Sequence, residues 1–509
     1  MAPNYQVDLL VVHPSNRKRT YQSLGDELSA IETPVWPALI ANFARVNGFS
    51  VAILDTEAED LNPQAAATRI SEIKPLLTAI IVYGHQPSAS TQNMTAASEV
   101  CTFLKEIAPD QKVIMVGGHV AALPERTLRE EVADFIAGGE GPVTVVDLLH
   151  SLKATGVSDQ GKVRGLWFRD GAAVLSNPPA PLVQNLDRDL PGMAWDLLPM
   201  GKYRAHNWHC FGHLERQPYA AIYTTLGCPY HCDFCCIQAP FKDGEKASGI
   251  QKNVNSYRFW SPEFVVSQID LLVNGYGVTN LRISDEMFVL NRKHVERICD
   301  LIIERGYHLN MWAYARVDTV GDDRMVEKLQ KAGFNWLCFG IESAIDRVRS
   351  GVDKSYAQES IARTVQRVRA AGINVIANYI FGLPDDDMKT MQATFDLSLD
   401  LNCEFANFYC GMAYPGSGLY NLALKNGWQL PEKWSDYSQH AVDTLPLPTK
   451  YLSASEVLAF RDEAWQRYFR NPAYLDLVRK KFGTATEEHI QKMTSHKLVR
   501  KYAPSSPVA

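Results

Sequence analysis

The sequence predicts an α/β protein built from two successive sheets and a helical C-terminal region. Short apolar runs alternate with polar helical segments through the first 150 residues, which is the pattern of a parallel sheet with helices between its strands. The same alternation resumes at Tyr219 with the period of a partial (β/α)6 barrel, and the pattern becomes helical from about Leu430. The expected parts are a doubly wound domain at 1–150, a wrapping linker at 151–215, a partial barrel at 216–425 and a helical region at 426–509.

The N-terminal part is expected to fold as a doubly wound, flavodoxin-like or Rossmann-like domain. Its predicted strands are Val7–Val12, Ser50–Asp55, Thr78–Tyr83, Lys112–Val116 and Asp134–Ala137. In such a sheet the ligand lies beyond the carboxyl ends of the strands. The segments that should approach a ligand are therefore HPSNRKR, DTEAED, GHQPSAS, GGHVAALPE and GGEGPVT.

The composition excludes several classes of function. The 509 residues are 46% hydrophobic and 21% charged, as in a globular enzyme, and the net charge of −6 argues against a nucleic-acid partner. No run approaches 18 apolar residues, so no transmembrane segment is expected, and the amino terminus is typical of a first strand rather than a signal peptide. Ten cysteines, three of them clustered, indicate a reducing cytoplasm and not a disulfide scaffold.

The linker contains a hairpin signal at Arg169-Asp170-Gly171 and then a proline-rich crossing. An aromatic and imidazole-rich stretch follows, just before the clustered cysteines. It comprises Trp195, Tyr203, His206, Trp208, His209 and Cys210. This stretch either lines an active site or packs between the domains.

The clustered cysteines are the most informative feature of the chain. Cys228, Cys232 and Cys235 stand in the run TTLGCPYHCDFC with C-x3-C-x2-C spacing, on a glycine-preceded loop after an apolar run. Three such thiolates can hold three irons of a 4Fe-4S cluster and leave the fourth iron open. Cys236 directly follows Cys235 and cannot easily turn to the same cluster. The alternatives are a zinc site or buried thiols, although zinc sites are usually paired CxxC or mixed Cys/His clusters.

This motif resembles that of the radical S-adenosylmethionine (radical SAM) superfamily, whose pattern is C-x3-C-x-aromatic-C, with Phe234 as the aromatic residue. The resemblance implies a 4Fe-4S cluster whose open iron chelates the amino and carboxylate groups of SAM. Electron transfer from the cluster would then cleave SAM to a 5′-deoxyadenosyl radical.

The resemblance also implies SAM contacts after the barrel strands, which are expected at Ala220–Thr225, Asn280–Ser284, Met311–Ala315, Trp336–Gly340, Asn374–Phe381 and Glu404–Gly411. Ser284, Asp285 and Glu286 would accept from the SAM amino group. Arg316 and Asp318 would meet the SAM carboxylate, since a guanidinium can bind it with two parallel bonds. Glu342 and Ser343 would face the ribose or methionine, and Ile380, Phe381 and Gly382 the adenine. The alternatives are an ordinary surface ion pair and ordinary strand ends.

The N-terminal loops resemble those of the cobalamin-binding domain that precedes many radical SAM domains. They carry Gly117, Gly118 and His119 in GGHVAALPE, and Gly139, Glu140 and Gly141 in GGEGPVT, where Pro142 replaces a usual acid. Glycine would let a corrin or its nucleotide tail pack against the backbone. The D-x-H-x-x-G motif of methionine-synthase-type domains is absent, so the dimethylbenzimidazole should be displaced and the cobalt should lack that histidine. The alternative is a structural flavodoxin-like domain without cobalamin.

The resemblance places four residues beneath the cobalt, in the loop after the third strand. They are His85, Gln86, Pro87 and Ser88. His85 could ligate the metal, but a loop histidine is more often a hydrogen-bonding surface residue. We therefore expect a lower cobalt face that is free of a protein nitrogen.

The C-terminal region falls outside the resemblance. A capping box at Ser453 and Glu456 predicts the start of a helix, and the aromatic residues that follow should pack on the barrel. We expect this region to help enclose the substrate.

These features resemble a cobalamin-dependent radical SAM enzyme, and the resemblance implies a methyltransferase that acts on an unactivated carbon of a small-molecule substrate. An external electron donor of flavodoxin or ferredoxin type is expected. The first alternative keeps both cofactors but transfers no methyl group, as in the anaerobic magnesium-protoporphyrin cyclase, which the chain resembles in length, order and its TLGCP run. The second, from another class, is a cobalamin-binding sensor or carrier.

Overall fold

The computed structural model describes residues 5–15, 17, 20, 22, 29–155, 159–212 and 214–502. Residues 16, 18 and 19 of the predicted loop HPSNRKR lie outside this range, as do both ends of the chain at 1–4 and 503–509. No helix among the described residues is both long and apolar enough to cross a membrane.

The first sheet has seven strands in the order β2-β1-β3-β4-β5-β6-β7. Its strands are β1 Leu9–His13, β2 Val51–Asp55, β3 Leu77–Ile81, β4 Val113–Val116, β5 Phe135–Ala137, β6 Leu166–Asp170 and β7 Ala173–Ser176. The first five are parallel, and β1 lies between β2 and β3, so the order reverses beside β1. The predicted doubly wound sheet is confirmed, with strand ends shifted by one or two residues.

The helices of this domain cover both faces of the sheet. They are α1 Val35–Val46, α2 Pro63–Ile73, α3 Ala89–Ile107, α4 Gly118–Ala122, α5 Pro124–Glu130, α6 Pro142–Thr155 and a short α7, Leu186–Asp189. The central strands β1, β3 and β4 are fully buried because apolar side chains pack on both sides of a parallel sheet.

The predicted hairpin belongs to the first sheet rather than to the linker. Strand β6 pairs antiparallel with β5, with Ala137 opposite Leu166, and β7 pairs with β6. The sheet therefore extends to Ser176, past the expected boundary at 150. The physical reason is that β5 would otherwise expose an unpaired edge, which the hairpin covers.

The second sheet has six parallel strands in the order β15-β14-β13-β12-β11-β8. These strands are β8 Tyr219–Ile222, β11 Asn280–Ile283, β12 Asn310–Ala315, β13 Phe334–Glu342, β14 Asn374–Phe381 and β15 Phe405–Cys410. Strands β8 and β15 form its open edges, which confirms the predicted partial barrel. A separate antiparallel pair, β9 Thr225–Gly227 and β10 Tyr257–Phe259, leads into the cysteine loop.

Helices follow the barrel strands and continue into the C-terminal region. Those of the barrel are α8 Lys242–Ala247, α9 Pro262–Tyr276, α10 Arg292–Arg305, α11 Asp323–Lys331, α12 Asp346–Ser350, α13 Gln358–Ala370, α14 Met388–Leu401 and α15 Gly418–Asn426. Those of the C-terminal region are α16 Ala454–Phe469, α17 Pro472–Phe482 and α18 Thr484–Ser495. The predicted capping box of Ser453 and Glu456 begins α16.

The C-terminal region packs on β15, the last barrel strand. The Arg461 Nε donates to the carbonyl of Phe408 at 2.7 Å, and the Tyr468 hydroxyl donates to the carbonyl of Cys403 at 2.7 Å. Rings of Phe408 and Tyr468 meet edge to face at 5.5 Å. These contacts satisfy backbone carbonyls near the open edge and confirm the expected aromatic packing on the barrel.

Two buried ion pairs join the first domain to the barrel. The Arg258 guanidinium of β10 contacts the Glu140 carboxylate at 2.6 Å, and the Arg282 guanidinium of β11 contacts the Glu32 carboxylate at 3.0 Å. All four side chains are less than one-tenth exposed. The two sheets are thus held at two points by charges that have little contact with water.

Glu140→Ala should strongly destabilise the protein, because it leaves the Arg258 guanidinium buried without a carboxylate. Removing one partner of a buried pair costs about 3 to 5 kcal/mol, so thermal unfolding should begin at a clearly lower temperature. Asp196→Ala is the matched control, since it breaks the exposed pair with Arg45 at 2.8 Å and should cost less than about 1 kcal/mol. Equal melting curves for the two variants would contradict a structural role for the Glu140 pair.

Candidate functional site

One large cavity lies where the carboxyl ends of the two parallel sheets face each other. Its volume is about 790 Å³. The first domain contributes the loop His85–Ser88 after β3, the cysteine loop contributes Phe234–Cys236, and the C-terminal region contributes a third wall. Ligands of both kinds of sheet bind beyond the carboxyl ends of the strands, so this cavity is the candidate site.

Strands β12, β13 and β14 line the cavity with residues of one face, because side chains of a strand point to opposite faces in turn. These residues are Trp312 and Tyr314 on β12, Cys338 and Glu342 on β13, and Ile376, Asn378 and Ile380 on β14. The edge strand β15 contributes from both faces, with Phe405, Asn407, Phe408, Tyr409 and Cys410. The Asn407 amide donates to the Asn378 oxygen at 2.9 Å, and the Asn378 amide donates to the Cys338 sulfur at 3.1 Å. The floor of the cavity is thus a row of linked polar groups between aromatic walls.

The cysteine loop begins at a glycine that the backbone requires. Gly227 has φ +89°, and a Cβ there would lie 2.2 Å from the carbonyl oxygen of Ser256, which directly precedes β10. Cys228 is buried, while Cys232 and Cys235 are partly exposed, and the Cys235 amide donates to the Cys232 carbonyl at 3.0 Å. The fold therefore presents the three thiols on one tight loop beside the cavity.

The three thiols offer a donor set that suits an iron–sulfur cluster. Burial raises the pKa of Cys228 to about 12 and also raises the pKa of Cys232, which the nearby Lys354 and Arg316 cations oppose. A bound metal deprotonates such thiols, and these cations favour the thiolates. Within the described ranges, no three His, Cys, Asp or Glu side chains surround a point closely enough for a single ion. A four-iron cluster differs from a single ion because each thiolate binds a different iron.

Of the three residues after β11, Glu286 is the one that lines the cavity. Burial and the Asp285 carboxylate, against the opposing effect of Arg282, raise the pKa of its carboxyl to about 7. Asp285 instead accepts from the backbone amides of Thr224 at 2.6 Å and Thr225 at 3.2 Å. Its carboxylate thus fixes the strand that leads to the cysteines, and Ser284 lines a smaller cavity of about 50 Å³ nearby.

Arg316 and Asp318 form an ion pair beside the cysteine loop. The Arg316 Nε and Nη2 donate to the two Asp318 oxygens at 3.0 and 3.2 Å. The guanidinium lies 4.1 Å from the ring centre of Tyr230, which stands between Cys228 and Cys232. The structure thus brings Arg316 to the cluster loop, with one edge of its guanidinium already occupied.

Glu342 reaches the cavity through an irregularity in β13. The register of β13 against β14 shifts between Gly340 and Glu342, and Glu342 has φ +61°, a strained conformation for a side-chain-bearing residue. Its carboxylate pairs with the buried Lys354 ammonium. Ser343 turns away and bonds the Thr394 hydroxyl at 3.1 Å.

The three residues at the end of β14 have different environments. Ile380 lines the cavity. Phe381 is fully buried and stacks on Phe408 with ring centres 5.7 Å apart. Gly382 has φ +75°, and a Cβ there would lie 2.4 Å from Val457 of α16, so it allows the C-terminal region to approach.

The glycines of the first domain are needed for packing of the chain on itself. A Cβ at Gly117 would lie 2.6 Å from the Val82 carbonyl oxygen, and one at Gly141, with φ +110°, would lie 2.3 Å from the Val116 side chain. At these two positions the chain itself excludes a Cβ, whether or not a corrin also approaches. A Cβ at Gly118 or Gly139 would meet only ordinary contacts, at 3.6 and 3.8 Å.

His119 and Glu140 are also engaged within the protein. The His119 ring is buried against Trp434 of the C-terminal region, with ring centres 4.4 Å apart, and burial lowers its pKa to about 3. Glu140 is occupied by Arg258. Among the predicted residues of the first domain, His85–Ser88 are those that line the cavity, and burial lowers the pKa of His85 to about 4, which keeps its imidazole neutral.

In the aromatic stretch of the linker, some residues line the cavity and others pack between the domains. His206 and Trp208 line the cavity, whereas Tyr203 donates to Asp55 at 2.9 Å and His209 bonds the Asn310 carbonyl at 3.0 Å. Sequence reasoning missed Arg282, Lys354 and the C-terminal residues Gln439, Arg461 and Trp465, of which all but Lys354 line the cavity. A charge inside the apolar strand run NLRIS was the available signal for Arg282.

Two family models match the chain. Residues 22–149 match the B12 binding domain, and residues 222–398 match the radical SAM superfamily. The first range covers β2 to β5 of the first sheet, the second covers β11 to β14 of the barrel, and both exclude the C-terminal region.

Individual relatives extend over most of the chain. It is 28% identical to an uncharacterised methyltransferase of Pyrococcus horikoshii over 87% of this chain and 89% of that protein. It is 25% identical to the anaerobic magnesium-protoporphyrin IX monomethyl ester cyclase of Rubrivivax gelatinosus over 92% of this chain and 78% of that protein. Its fold is similar to that of the radical SAM methyltransferase TsrM of Kitasatospora setae, solved with tryptophan and a SAM analogue. The TM-score is 0.64 at 17% identity, and the match covers 96% of this chain and 99% of TsrM.

Replacing Cys228, Cys232 and Cys235 together by alanine should abolish cluster binding. After anaerobic reconstitution the wild-type chain should hold about four irons, and the triple variant almost none, measured by iron and sulfide analysis. Cys236→Ala is the matched control and should keep the wild-type iron content, since this buried neighbour is not part of the motif. Full iron content in the triple variant would show that the cluster lies elsewhere.

Proposed function

The chain belongs to the cobalamin-dependent radical S-adenosylmethionine enzymes, and we propose on this premise that it transfers a methyl group to an unactivated carbon of a small-molecule substrate. The observation that carries the proposal is the single cavity shared by the loop His85–Ser88, the cysteine loop and the barrel floor. Methyl transfer needs the cobalt, the SAM carbons and the substrate carbon in one enclosed space. Separate pockets would not serve it.

Each cofactor would be held by a different wall of this cavity. When bound, the cluster and SAM supply a 5′-deoxyadenosyl radical that removes a hydrogen atom from the substrate, and cobalamin carries the methyl group that the substrate carbon receives. Cys228, Cys232 and Cys235 would hold the cluster, and His85–Ser88 would lie on the lower cobalt face. Because the His85 imidazole stays neutral near pH 7, it brings no positive charge to that face.

The residues around the cysteine loop would bind and orient SAM. Glu286 and Glu342 line the cavity and can accept from the amino group and the ribose hydroxyls, while Ile380 offers an apolar surface to the adenine. Arg316, beside Tyr230, can meet the carboxylate through Nη1, because Nε and Nη2 donate to Asp318 and Nη2 also donates to the Ser355 carbonyl at 3.1 Å. Three neighbouring residues have packing roles instead. Asp285 binds the backbone before the cysteine loop, Ser343 binds Thr394, and Phe381 stacks on Phe408.

The substrate would enter against the C-terminal wall. This wall presents Arg461, Asp462, Trp465 and Gln466 of α16, opposite the loop of the first domain. Asp462 pairs with both Arg461 and Arg500 at 2.8 Å, so this cluster holds two guanidiniums against one carboxylate. An aromatic surface with polar groups around it suits a small molecule and leaves its identity open.

The cyclase alternative has a specific observation in its favour. The Rubrivivax cyclase matches over 92% of this chain, nearly the same share as the methyltransferase of Pyrococcus. A cyclase of this kind would use the same cavity, with hydrogen removal from the substrate and no methyl transfer.

The proposal includes an external electron donor of flavodoxin or ferredoxin type and a cytoplasmic location. Reduction of the cluster must come from outside the chain because the reaction consumes electrons. All ten cysteines are free thiols, which suits a reducing compartment.

Mass spectrometry of an anaerobic incubation tests the function. The reconstituted protein is supplied with cobalamin, trideuteromethyl-labelled SAM, a reductant and a metabolite extract, with the triple cysteine variant as control. A deuteromethylated metabolite together with S-adenosylhomocysteine and 5′-deoxyadenosine is expected. Formation of 5′-deoxyadenosine with an unmethylated, oxidised metabolite would instead favour the cyclase, and neither product would favour a sensor or carrier.

Arg316→Ala should weaken SAM binding while the cluster stays intact. Loss of a charge-assisted contact to the carboxylate costs about 2 to 3 kcal/mol, which is about 30- to 150-fold in affinity. Equilibrium binding of SAM to the reconstituted protein measures this, and Arg347→Ala, an exposed arginine of α12, is the control with unchanged affinity expected. Unchanged affinity in the Arg316 variant would move the carboxylate contact to another residue.

A further inference from the structure

Arg282 is a charged side chain that bridges the two domains at the edge of the cavity. It lies on β11, is 1% exposed, and its guanidinium is 4.7 Å from the ring centre of Trp312 on β12. Its Nη1 donates to the Glu32 carboxylate at 3.0 Å, and its Nη2 donates to the backbone carbonyl of His85 at 2.5 Å. One guanidinium therefore binds the segment before α1 and the loop after β3 at the same time.

The barrel holds this fork in a fixed position. The planar guanidinium lies against Trp312, and Tyr314 lies 5.8 Å away, so cation–π contact limits its rotation. Burial alone would raise the pKa of Glu32, but Arg282, the nearby imidazoles and the Tyr219 hydrogen bond together lower it. The Tyr219 hydroxyl of β8 also donates to Glu32. The partner carboxylate is thus charged and anchored to the barrel too.

The loop His85–Ser88 is tied at its far end by a hydrogen bond between Ser88 and Tyr414, which follows β15. Its own bonds are turns that lead into α3: the Ala89 amide donates to Gln86 at 3.0 Å, and the Ser90 amide to Pro87 at 3.3 Å. The turn bonds fix the shape of the loop but not its distance from the barrel. The bond from Arg282 Nη2 crosses between the domains at the His85 end and sets the distance there.

We propose that Arg282 is a positioning residue that fixes the loop His85–Ser88 relative to the barrel. The bond to the His85 carbonyl holds the loop whether or not a cofactor is present. Given the proposed function, it also sets the clearance beneath the cobalt, keeping the lower face closed to water and to the His85 ring. A lysine cannot replace it, because a single ammonium can pair with Glu32 but does not reproduce the planar fork.

Hydrogen exchange of the cofactor-free protein tests the first part. Arg282→Lys should speed exchange of the amides in residues 83–90 by about 10- to 100-fold, the effect of losing one hydrogen bond to a charged donor. Glu32→Gln keeps an acceptor for Nη1 and leaves the His85 bond in place, so its effect on these amides should be smaller. Arg216→Lys is the matched control, since Arg216 binds the carbonyls of Ser29 and Ala205, both at 2.7 Å, without a contact to the loop.

A local increase in the Arg282 variant, with no increase at 83–90 in the Arg216 variant, supports the proposal. Unchanged exchange of the loop, or a rise spread evenly over both domains in step with lower global stability, overturns it. Denaturant unfolding of each variant supplies the global stability for this comparison.

Electron paramagnetic resonance of the cob(II)alamin form tests the second part. The wild-type spectrum should lack superhyperfine splitting from an axial nitrogen, and Arg282→Lys should add a five-coordinate species as water or His85 reaches the cobalt. Identical spectra for the two proteins overturn the claim about the lower face. Failure of the wild-type protein to bind cobalamin would overturn the proposed function instead, and the exchange experiment would still decide the role of Arg282.

Discussion

A guanidinium from the barrel and a carboxylate from the first domain meet where the carboxyl ends of the two sheets face each other. Arg282 and Glu32 are both almost completely buried, 3.0 Å apart. Two buried charges lose their hydration, so a pair of this kind contributes little net stability and is weak evidence for stability by itself. Its value lies in direction, because Nη1 and Nη2 of Arg282 both find an acceptor only when Glu32 and the His85 carbonyl are in reach. The relative position of the sheets, and with it the shape of the cavity, depends on that condition.

The same low-polarity surroundings determine the chemistry of the cavity. Burial raises the pKa of Glu286 and of the thiols, and it lowers the pKa of His85 and His206, so ionisable groups in the site tend to their neutral forms unless a partner ion is near. Cations are placed where negative charge is needed: Lys354 beside Glu342, and Arg316 beside the cysteine loop. The strained backbone at Glu342 is held by the surrounding strand pairing, as is common beside active sites.

The C-terminal region completes the enclosure and links all three parts of the chain. The Gln439 side chain accepts from the Cys410 amide of β15 at 2.9 Å, and the Ser438 hydroxyl donates to the Thr20 carbonyl of the N-terminal segment at 2.7 Å. Trp434 packs on His119 in the first domain. This region lies outside both matched family models, so the wall that would select the substrate is the part of the chain least described by family membership.

The sequence by itself determined the two parallel sheets and the cysteine motif, because both are written in local patterns: apolar runs of strand length, and a spacing of three thiols on one loop. Only the tertiary structure decided which strand-end residues face the cavity. Asp285 and Glu286 are neighbours in sequence, yet Asp285 binds Thr224 and Thr225 while Glu286 faces the cavity, since adjacent side chains take different directions. The packing requirement for Gly117 and Gly141 was not visible in the sequence either, because the atoms that exclude a Cβ come from Val82 and Val116, which are distant in sequence. The contact between Arg282 and Glu32 joins residues 250 positions apart, and such pairings are fixed by packing of whole domains rather than by any local pattern.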